Sequence, residues 1–401
     1  MTIRLNPAVR IIPPSNVTGR RWVAENILER RRYVISGAAA AALAAAARPG
    51  TEQSLTSRLA EIERAAGSGE GPSPAWEQLV ASLRARRLLL AESEIAEDPD
   101  LRWLTGLRSS WSRFGWHEAA EYHALCFDYP CVDYSEAVAI LTDRDRMRNY
   151  QSSEPDDDRF KLDHVHRPGT DLPAPGAGLS EATARAVWGT PAAPADLDVA
   201  ALSRIVSLTF GVTGTIVPKT DAAPLLRRSS PSGGGRNPSE GYLVVRDVPG
   251  LEAGWYHVTM SPFSLRRLEG PPVDDVALKR LFPNTVQRFP RYARALLVLT
   301  TVFERNMYRY REPRTFRTVH MDIGHLAGTV RIAARAEGLT AAVFYCDAAT
   351  EIEQALGIDG MAEGYMLTVA LADGNRGEEL VIPRRPVDRS RPTAPTGEAR
   401  P

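Results

Sequence analysis

The residues most suited to holding a ligand lie in one run, Leu226-Arg-Arg-Ser-Ser-Pro-Ser-Gly-Gly-Gly-Arg-Asn-Pro-Ser-Glu-Gly-Tyr242. Gly233, Gly234 and Gly235 have no Cβ, so their backbone can take positive φ and lie flat against a bulky planar ligand, with the loop's amides and the hydroxyls of Ser230 and Ser232 left to face it. Glycine-serine runs are often flexible surface loops. This one holds Pro231, closes on Asn237-Pro238 and feeds straight into the apolar run Leu243-Val-Val245, which points to a fixed ligand loop. Other chemistry-bearing sets are weaker. His117 and His123 are six apart and do not share a helix face as i, i+4 ligands do, so His123, beside Tyr122, is read either as a pocket lining or as a structural histidine. Glu154-Pro-Asp-Asp-Asp158 and Asp163-His-Val-His166 read as solvated acidic turns, and no ion is placed there. Cys126, Cys131 and Cys346 cannot all pair and lack Cys-x-x-Cys spacing, which fits a reduced cytoplasmic setting without structural zinc.

These residues need elements to position them. At 401 residues the chain is expected to hold two or three units, and 43% apolar with 24% charged residues is a globular composition. Lys plus Arg and Asp plus Glu both come to 49, so there is no global electrostatic case for nucleic acid or an anionic membrane. Met1-Thr-Ile-Arg-Leu5 does not open a charged segment followed by an apolar core and a small-residue cleavage site, so export is not expected, and the alanine run from Ala38 to Ala47 is too short and too weakly apolar to span a bilayer.

A strand over Arg31–Ile35, a helix capped by Ser36, further helices from about Thr51 to Ala66 and around Trp76–Leu83, and a closing strand at Leu88–Leu90 suggest a winged-helix-like unit over 1–95. Its charge balance favours peptide over DNA. Residues 96–178 read as an aromatic-rich helical segment ending in a Pro/Gly linker from Arg167 to Gly178. Beyond it the pattern is α+β with a mixed or antiparallel sheet. Short and amphipathic helices are expected over Ser180–Val187 and Leu197–Phe210. Strands are expected at Tyr242–Arg246, Gly254–Val258 and Phe263–Leu268, and a central strand within Ala293–Phe303. An arginine- and aromatic-dense stretch, 305–317, leads into a long helix with apolar Ile323, Leu326, Ala327, Val330, Ala333 and Ala334, stopped by Gly338. Two strands, Ala341–Tyr345 and Tyr365–Leu371, close the domain. No Gly-x-Gly-x-x-Gly, phosphate-loop or Gly-x-Ser-x-Gly motif is present, which disfavours dinucleotide folds, P-loop nucleotidases and serine hydrolases.

Ser230-Pro-Ser-Gly-Gly-Gly-Arg-Asn-Pro-Ser-Glu-Gly-Tyr242, with Gly254-Trp-Tyr-His257, Gly324-His325 and Gly338-Leu339, resembles the SagB-type dehydrogenases, nitroreductase-like flavoproteins that mature ribosomal peptides, and is most similar to the peptide maturation dehydrogenases. The resemblance spans about Ser180 to Arg385. It implies a nitroreductase-like domain over 179–385, a homodimer with FMN at the interface, a precursor peptide as substrate, and an N-terminal peptide-recognition unit. It also implies cofactor contacts from Ser230, Pro231, Ser232, Gly233, Gly234 and Asn237. Backbone near the flavin would come from Tyr345 and Cys346, where Cys346 sits beside the ring or is a buried small apolar residue. The family's Lys-Tyr pair falls on Arg309-Tyr310. Arg309 can hold a carboxylate or polarise a carbonyl but cannot act as a base. Tyr310 can donate a proton, or accept one if Arg309 lowers its pKa. Only Arg185 remains of the family's arginine-arginine-serine opening, so phosphate contacts are sought at Arg185, Arg228 and Arg384. His123 and Glu240 are the substrate-side candidates, and Glu240's alternative is a residue satisfied within the sheet. Residues 386–401 read as a disordered tail. Two other functions fit the sequence less well: an NAD(P)H-dependent nitroreductase of small molecules, which would need no docking unit, and a flavin-free peptide scaffold.

Overall fold

The computed structural model describes residues 1–16, 18–65, 74–130, 132–133, 135–154, 160–172, 184, 192–217, 225–288 and 293–374. Arg185, Arg384, all but Ala184 of the expected helix Ser180–Val187, and the tail 386–401 lie outside the described residues. The chain divides into two compact units, 1–132 and 133–401.

In the first unit, β1 (Thr2–Leu5) lies between β5 (Gly50–Thr51) and β6 (Leu89–Ala91), antiparallel to both. A second sheet joins β2 (Val9–Ile12), β3 (Trp22–Asn26) and β4 (Arg31–Ile35). Ser36 caps α1 (Gly37–Ala45) as its pattern predicts, its hydroxyl accepting from the Ala39 amide at 3.1 Å. Helices α2 (Glu52–Ala65) and α3 (Pro74–Ala85) bring Leu55, Leu59 and Leu83 onto Leu43, Leu88 and Leu89. Then α4 (Glu92–Glu97), α5 (Pro99–Ser112) and α6 (His117–Cys126) close a smaller core, where Leu101, Leu104 and Ala124 cover Ala8, Ile27 and Leu90. That shared core explains why the chain divides at 132/133 and not at 95/96 and 178/179.

The second unit opens with α7 (Ala137–Ser153). Its sheet has seven strands in the order β14-β15-β13-β10-β11-β12-β7. They are β7 (Gly169–Asp171), β10 (Ser239–Val245), β11 (Gly254–Met260), β12 (Phe263–Leu268), β13 (Ala295–Val302), β14 (Thr340–Phe344) and β15 (Glu363–Ala372). All neighbours in it are antiparallel, so of the mixed and antiparallel alternatives that the sequence left open the sheet takes the antiparallel one. The reason is that β15 inserts between β13 and β14, which point the same way. A short hairpin, β8 (Val212–Ile216) with β9 (Leu225–Arg228), stands apart. β13 is the apolar central strand that its composition predicts, buried along its first seven residues.

One face of the sheet is covered by α8 (Val199–Phe210) and the long α12 (Thr315–Ala336), packed on Leu243, Val258, Leu297 and Val369. The other carries α9 (Asp275–Leu281), α10 (Pro283–Arg288) and α13 (Ala349–Leu356) around Trp255 and Phe282. The segment that reads as a linker supplies β7, the edge strand beside β12. There Gly169 passes so near β12 that a Cβ would overlap the Leu265 carbonyl.

Candidate functional site

Two segments meet at one end of the sheet because of strand register. Ser239 of β10 pairs with Thr301 of β13, so the loop before β10 and the turn after β13, α11 (Phe303–Met307) with Tyr308–Arg311, emerge side by side.

The glycine loop lies along α12. Ser230 and Thr329 share a hydroxyl hydrogen bond of 2.6 Å, Ser232 donates to the Asp322 carboxylate at 2.8 Å, and the Gly233 amide donates to the same carboxylate at 3.1 Å. Thr318 fills the space where a Gly233 Cβ would stand. Thr318, Asp322 and Thr329 fall at helical spacing, on one face of α12. Within the loop, the Asn237 amide donates to Ser232 Oγ at 2.9 Å and its side-chain nitrogen to the Gly235 carbonyl at 2.9 Å, with Asn237 itself at φ 50°. The Ser230 and Ser232 hydroxyls, the Gly233 amide and the Asn237 side chain, expected to face a ligand, are therefore turned into the protein: without these bonds the loop would leave buried polar groups unmet. Burial raises the Asp322 carboxyl above the ordinary carboxylate range, opposed by the hydrogen bonds from Ser232 and Gly233.

Gly234 is at φ 61°, and a Cβ there would overlap the Tyr310 hydroxyl. Only glycine admits both this backbone and this neighbour. The Tyr310 amide donates to the Asn306 carbonyl at 2.9 Å. The Arg309 guanidinium stands 5.1 Å from the Tyr310 ring centre and pairs with Asp143 of α7.

Behind the loop runs a chain of buried charges. Arg236 Nε donates to the Arg305 carbonyl at 2.6 Å, Arg305 donates to Glu240 at 2.6 Å, and the second Glu240 oxygen lies 3.0 Å from His257 Nε2. Burial alone would raise the Glu240 carboxyl, but His257 and Arg305 outweigh it and bring it down to about 2. The His257 ring stacks on Tyr242 at 4.8 Å. Tyr242 Oη donates to Glu363 at 2.9 Å, and Lys161 donates to both Tyr242 Oη and Glu363, at 2.9 and 2.6 Å. Burial pushes the Tyr242 hydroxyl well above its ordinary pKa. This network borders a cavity of about 380 Å³ lined by Lys161, Leu162, Val302, Arg305, Ile358 and Glu363.

The structure thus gathers Arg228, Ser230, Pro231, Ser232, Gly233, Gly234, Asn237 and Tyr310, with Arg309 adjacent and Glu240 behind. Burial pushes the Arg228 guanidinium down to about 10, near Glu240 and Arg305, and its Nε has no hydrogen-bond partner among the described residues. Glu240 is 1% exposed with both oxygens engaged, the arrangement of a carboxylate satisfied within the sheet. Tyr345 and Cys346 follow edge strand β14 and are exposed, so Cys346 is not the buried small apolar residue that one reading expected. His123 lies in the first unit, stacked on Trp111 at 5.2 Å. The sequence reading missed Asp322, Thr329, Arg305, His257 and Asp143. The one available signal was a carboxylate, Asp322, bordering the apolar stripe of the long helix. Among the described residues, no three His, Cys, Asp or Glu side chains group to hold a metal, and no helix is long and apolar enough to cross a membrane.

Residues 194–374 match the model of the nitroreductase family. The trifolitoxin-processing protein TfxB of Rhizobium leguminosarum bv. trifolii is 28% identical over 262 residues, covering 62% of this chain and 68% of that protein. MJ1384 of Methanocaldococcus jannaschii, described as a nitroreductase, is 34% identical over 139 residues, which is 34% of this chain and 63% of that protein, just under two thirds of its length. Among solved structures, the E. coli microcin synthetase McbBCD complex with truncated pro-MccB17 bound contains a similar chain. It is 16% identical with a TM-score of 0.39, and the match covers 71% of this chain and 97% of that one. Residues 194–374 therefore constitute a nitroreductase-family domain, carried on a chain that also resembles a toxin-processing protein.

Proposed function

We propose that this protein is an FMN-dependent oxidoreductase, of the SagB type, that modifies a residue of a ribosomally made precursor peptide by two-electron transfer. The observation that carries the reading is the Tyr310 hydroxyl set against left-handed Gly234 in a loop clamped to α12, in a nitroreductase-family domain. The similarity to TfxB, named for processing trifolitoxin, favours a peptide substrate over small nitro compounds.

The residues present fit such a cofactor. Gly234 and Gly235 present bare backbone at positive φ. On α12, a Cβ at Gly324 or Gly328 would meet nothing. Arg228 Nε, Ser239 Oγ, Thr301 Oγ1 and both amide atoms of Asn306 are buried without a hydrogen-bond partner among the described residues, and Arg228 and Ser239 line the same small cavity as Ser230, Ser232 and Asn237, an unmet polar demand beside the loop. In this reading 230–237 holds the ring, and Arg228, with Arg185 and Arg384, is a candidate for the phosphate. The exposed α12 positions Met321, Gly324 and Ile332 support a second copy meeting this helix, with FMN between the two. The N-terminal unit, winged-helix-like in this reading, docks the peptide.

FMN, when bound, supplies a two-electron couple, restored by oxygen or another acceptor. The chain supplies position and protons. Tyr310 Oη gives up or takes the proton lost or gained at the peptide residue. Arg309 keeps its charge and orients a carboxylate or carbonyl. The loop and the buried Arg305–Glu240–His257 group keep Tyr310 in register.

The test is the visible spectrum of the purified protein, followed by identification of any released chromophore. Bands near about 370 and 450 nm with FMN released are expected. A colourless protein that fails to bind added FMN rejects the reading in favour of a scaffold. Tyr310→Phe is expected to slow peptide turnover by about 10²-fold with flavin content unchanged. Equal turnover removes Tyr310 from the chemistry.

A further inference from the structure

The geometry points to a second binding site, separate from the Tyr310 loop site: the cavity of about 380 Å³ beside Lys161 and Glu363 takes an α-amino-acyl group with an apolar side chain, its ammonium at the mouth and its carbonyl at the floor. Neither flavin nor Tyr310 is needed for this.

Local turns build one side of the cavity. Gly357, left-handed at φ 70°, ends α13, and the Ile358 amide donates back to the Glu353 carbonyl at 3.0 Å. Asp359 Oδ1 then accepts from the Met361 and Ala362 amides at 2.8 and 2.7 Å, which fixes the loop that delivers Glu363 to the start of β15. Ile358, Val302, Phe160 and Leu162 give the cavity apolar walls. Its polar groups divide by exposure into a floor and a mouth. At the floor, Glu363 is 6% exposed, and its oxygens accept from Tyr242, Thr300 and Lys161 at 2.9, 2.5 and 2.6 Å. The Lys161 side chain, 14% exposed, gives one N–H to Tyr242 and one to Glu363. An ammonium carries three, so one is left for the cavity. A carbonyl oxygen would meet it, and a largely enclosed donor left unmet is costly.

The cations of the cavity already have their carboxylates, Lys161 in Glu363 and Arg305 in Glu240. The lining acids Asp163 and Asp359 are exposed, and neither has an ion pair among the described residues. The Met361 and Ala362 amides hold the Asp359 carboxyl below its ordinary range, so the mouth keeps two uncompensated negative charges. A cation is therefore favoured at the mouth, an acceptor at the floor and an apolar body between them. An α-amino-acyl group carries all three on adjacent carbons. A simple amine lacks the acceptor, and a carboxylate without an ammonium is repelled at the mouth. The volume is at the lower end of small-ligand sites, about 300–1,000 Å³, which suits one residue better than a long segment. The group comes from the N-terminus of a peptide or from a free amino acid.

Calorimetric titration of the full chain with leucyl-glycyl-glycinamide, leucine, the N-acetylated form of each, and 3-methylbutylamine tests this. Whichever of leucyl-glycyl-glycinamide and leucine binds more tightly names the source, a peptide N-terminus or a free amino acid. Its N-acetylated form, which lacks the charge, and 3-methylbutylamine, which lacks the carbonyl, are each expected to bind at least about tenfold more weakly. Asp163→Asn combined with Asp359→Asn should weaken binding about fivefold, and less so in high salt. Asn at 359 keeps the oxygen that the Met361 and Ala362 amides use. Ala362→Trp, at an exposed position in the lining, should fill the cavity and abolish binding. Unchanged thermal unfolding midpoints verify that these surface variants fold. Equal binding of the acetylated compound, undiminished affinity in either variant, or no binding of any probe overturns the proposal.

Discussion

Ser230–Asn237 leans on α12, whose inner residues Ile323, Leu326, Ala327 and Val330 are buried against the sheet. Tyr308–Arg311, which meets that loop where Tyr310 touches Gly234, is covered instead by α7, a helix with no buried residue. Asp322, 4% exposed, makes hydrogen bonds to Ser232 and Gly233, whereas Glu154 holds Arg311 across side chains 52% and 35% exposed. The same bond chemistry is thus enclosed on one side of the site and, at Glu154, open to solvent on the other. What decides is the burial of the acceptor, since an enclosed carboxylate cannot exchange its donors for water.

The comparison breaks most visibly at Glu240. Glu240→Gln removes the charge between Arg305 and His257, and stability in urea is expected to fall by about 3–5 kcal/mol. A loss below about 1 kcal/mol would mean the buried group is not what anchors this end of the sheet. With the folded carboxyl near 2 against an ordinary 4.5, its contribution is complete above pH 4.5 and is lost as pH falls towards 2. The variant should lack that acid-sensitive limb. Next, Asp322→Ala strands the Ser232 hydroxyl and the Gly233 amide and should cost about 2–4 kcal/mol by the same measurement, with faster amide exchange across 230–237. Gly234→Ala should cost about 1–2 kcal/mol for the left-handed backbone alone, and more if Tyr310 cannot move aside; thermal unfolding alongside Gly324→Ala, where a Cβ meets nothing, isolates the effect. The smallest effect is Glu154→Gln. Its global melting temperature should match the parent while α7 exchanges faster, and slow exchange there would show the solvent-open side to be as firm as the enclosed one.

Much of this was legible in the chain. The apolar period of α12, the Gly338 stop and the central strand β13 follow from residues adjacent in sequence, and the glycine run marks its own loop. The clamps were not legible, because Asp322 lies 90 residues from Ser232 and Arg305 lies 65 from Glu240; spacing along a strand or helix says nothing about partners that only the register of β10 on β13 brings together. Helix α7 falls in a segment that reads as helical, but its bounds were not legible, for a different reason. Its residues, Thr142-Asp-Arg-Asp-Arg-Met-Arg-Asn149 in the middle, carry no apolar stripe, since it buries nothing. The edge strand β7 hid within a stretch of prolines and glycines, where Gly169 is required by nearness to the Leu265 backbone and not by a turn.

Gly234 and Tyr310 occupy what is in effect a single volume, the side-chain space of one filled by the hydroxyl of the other. For inheritance this couples two distant positions in one direction only. A lineage that replaced the glycine would have to surrender the tyrosine in the same step, whereas a lineage that shortened the tyrosine would still need the glycine for its left-handed backbone. The bare loop should therefore outlast the aromatic hydroxyl across descendants of this chain.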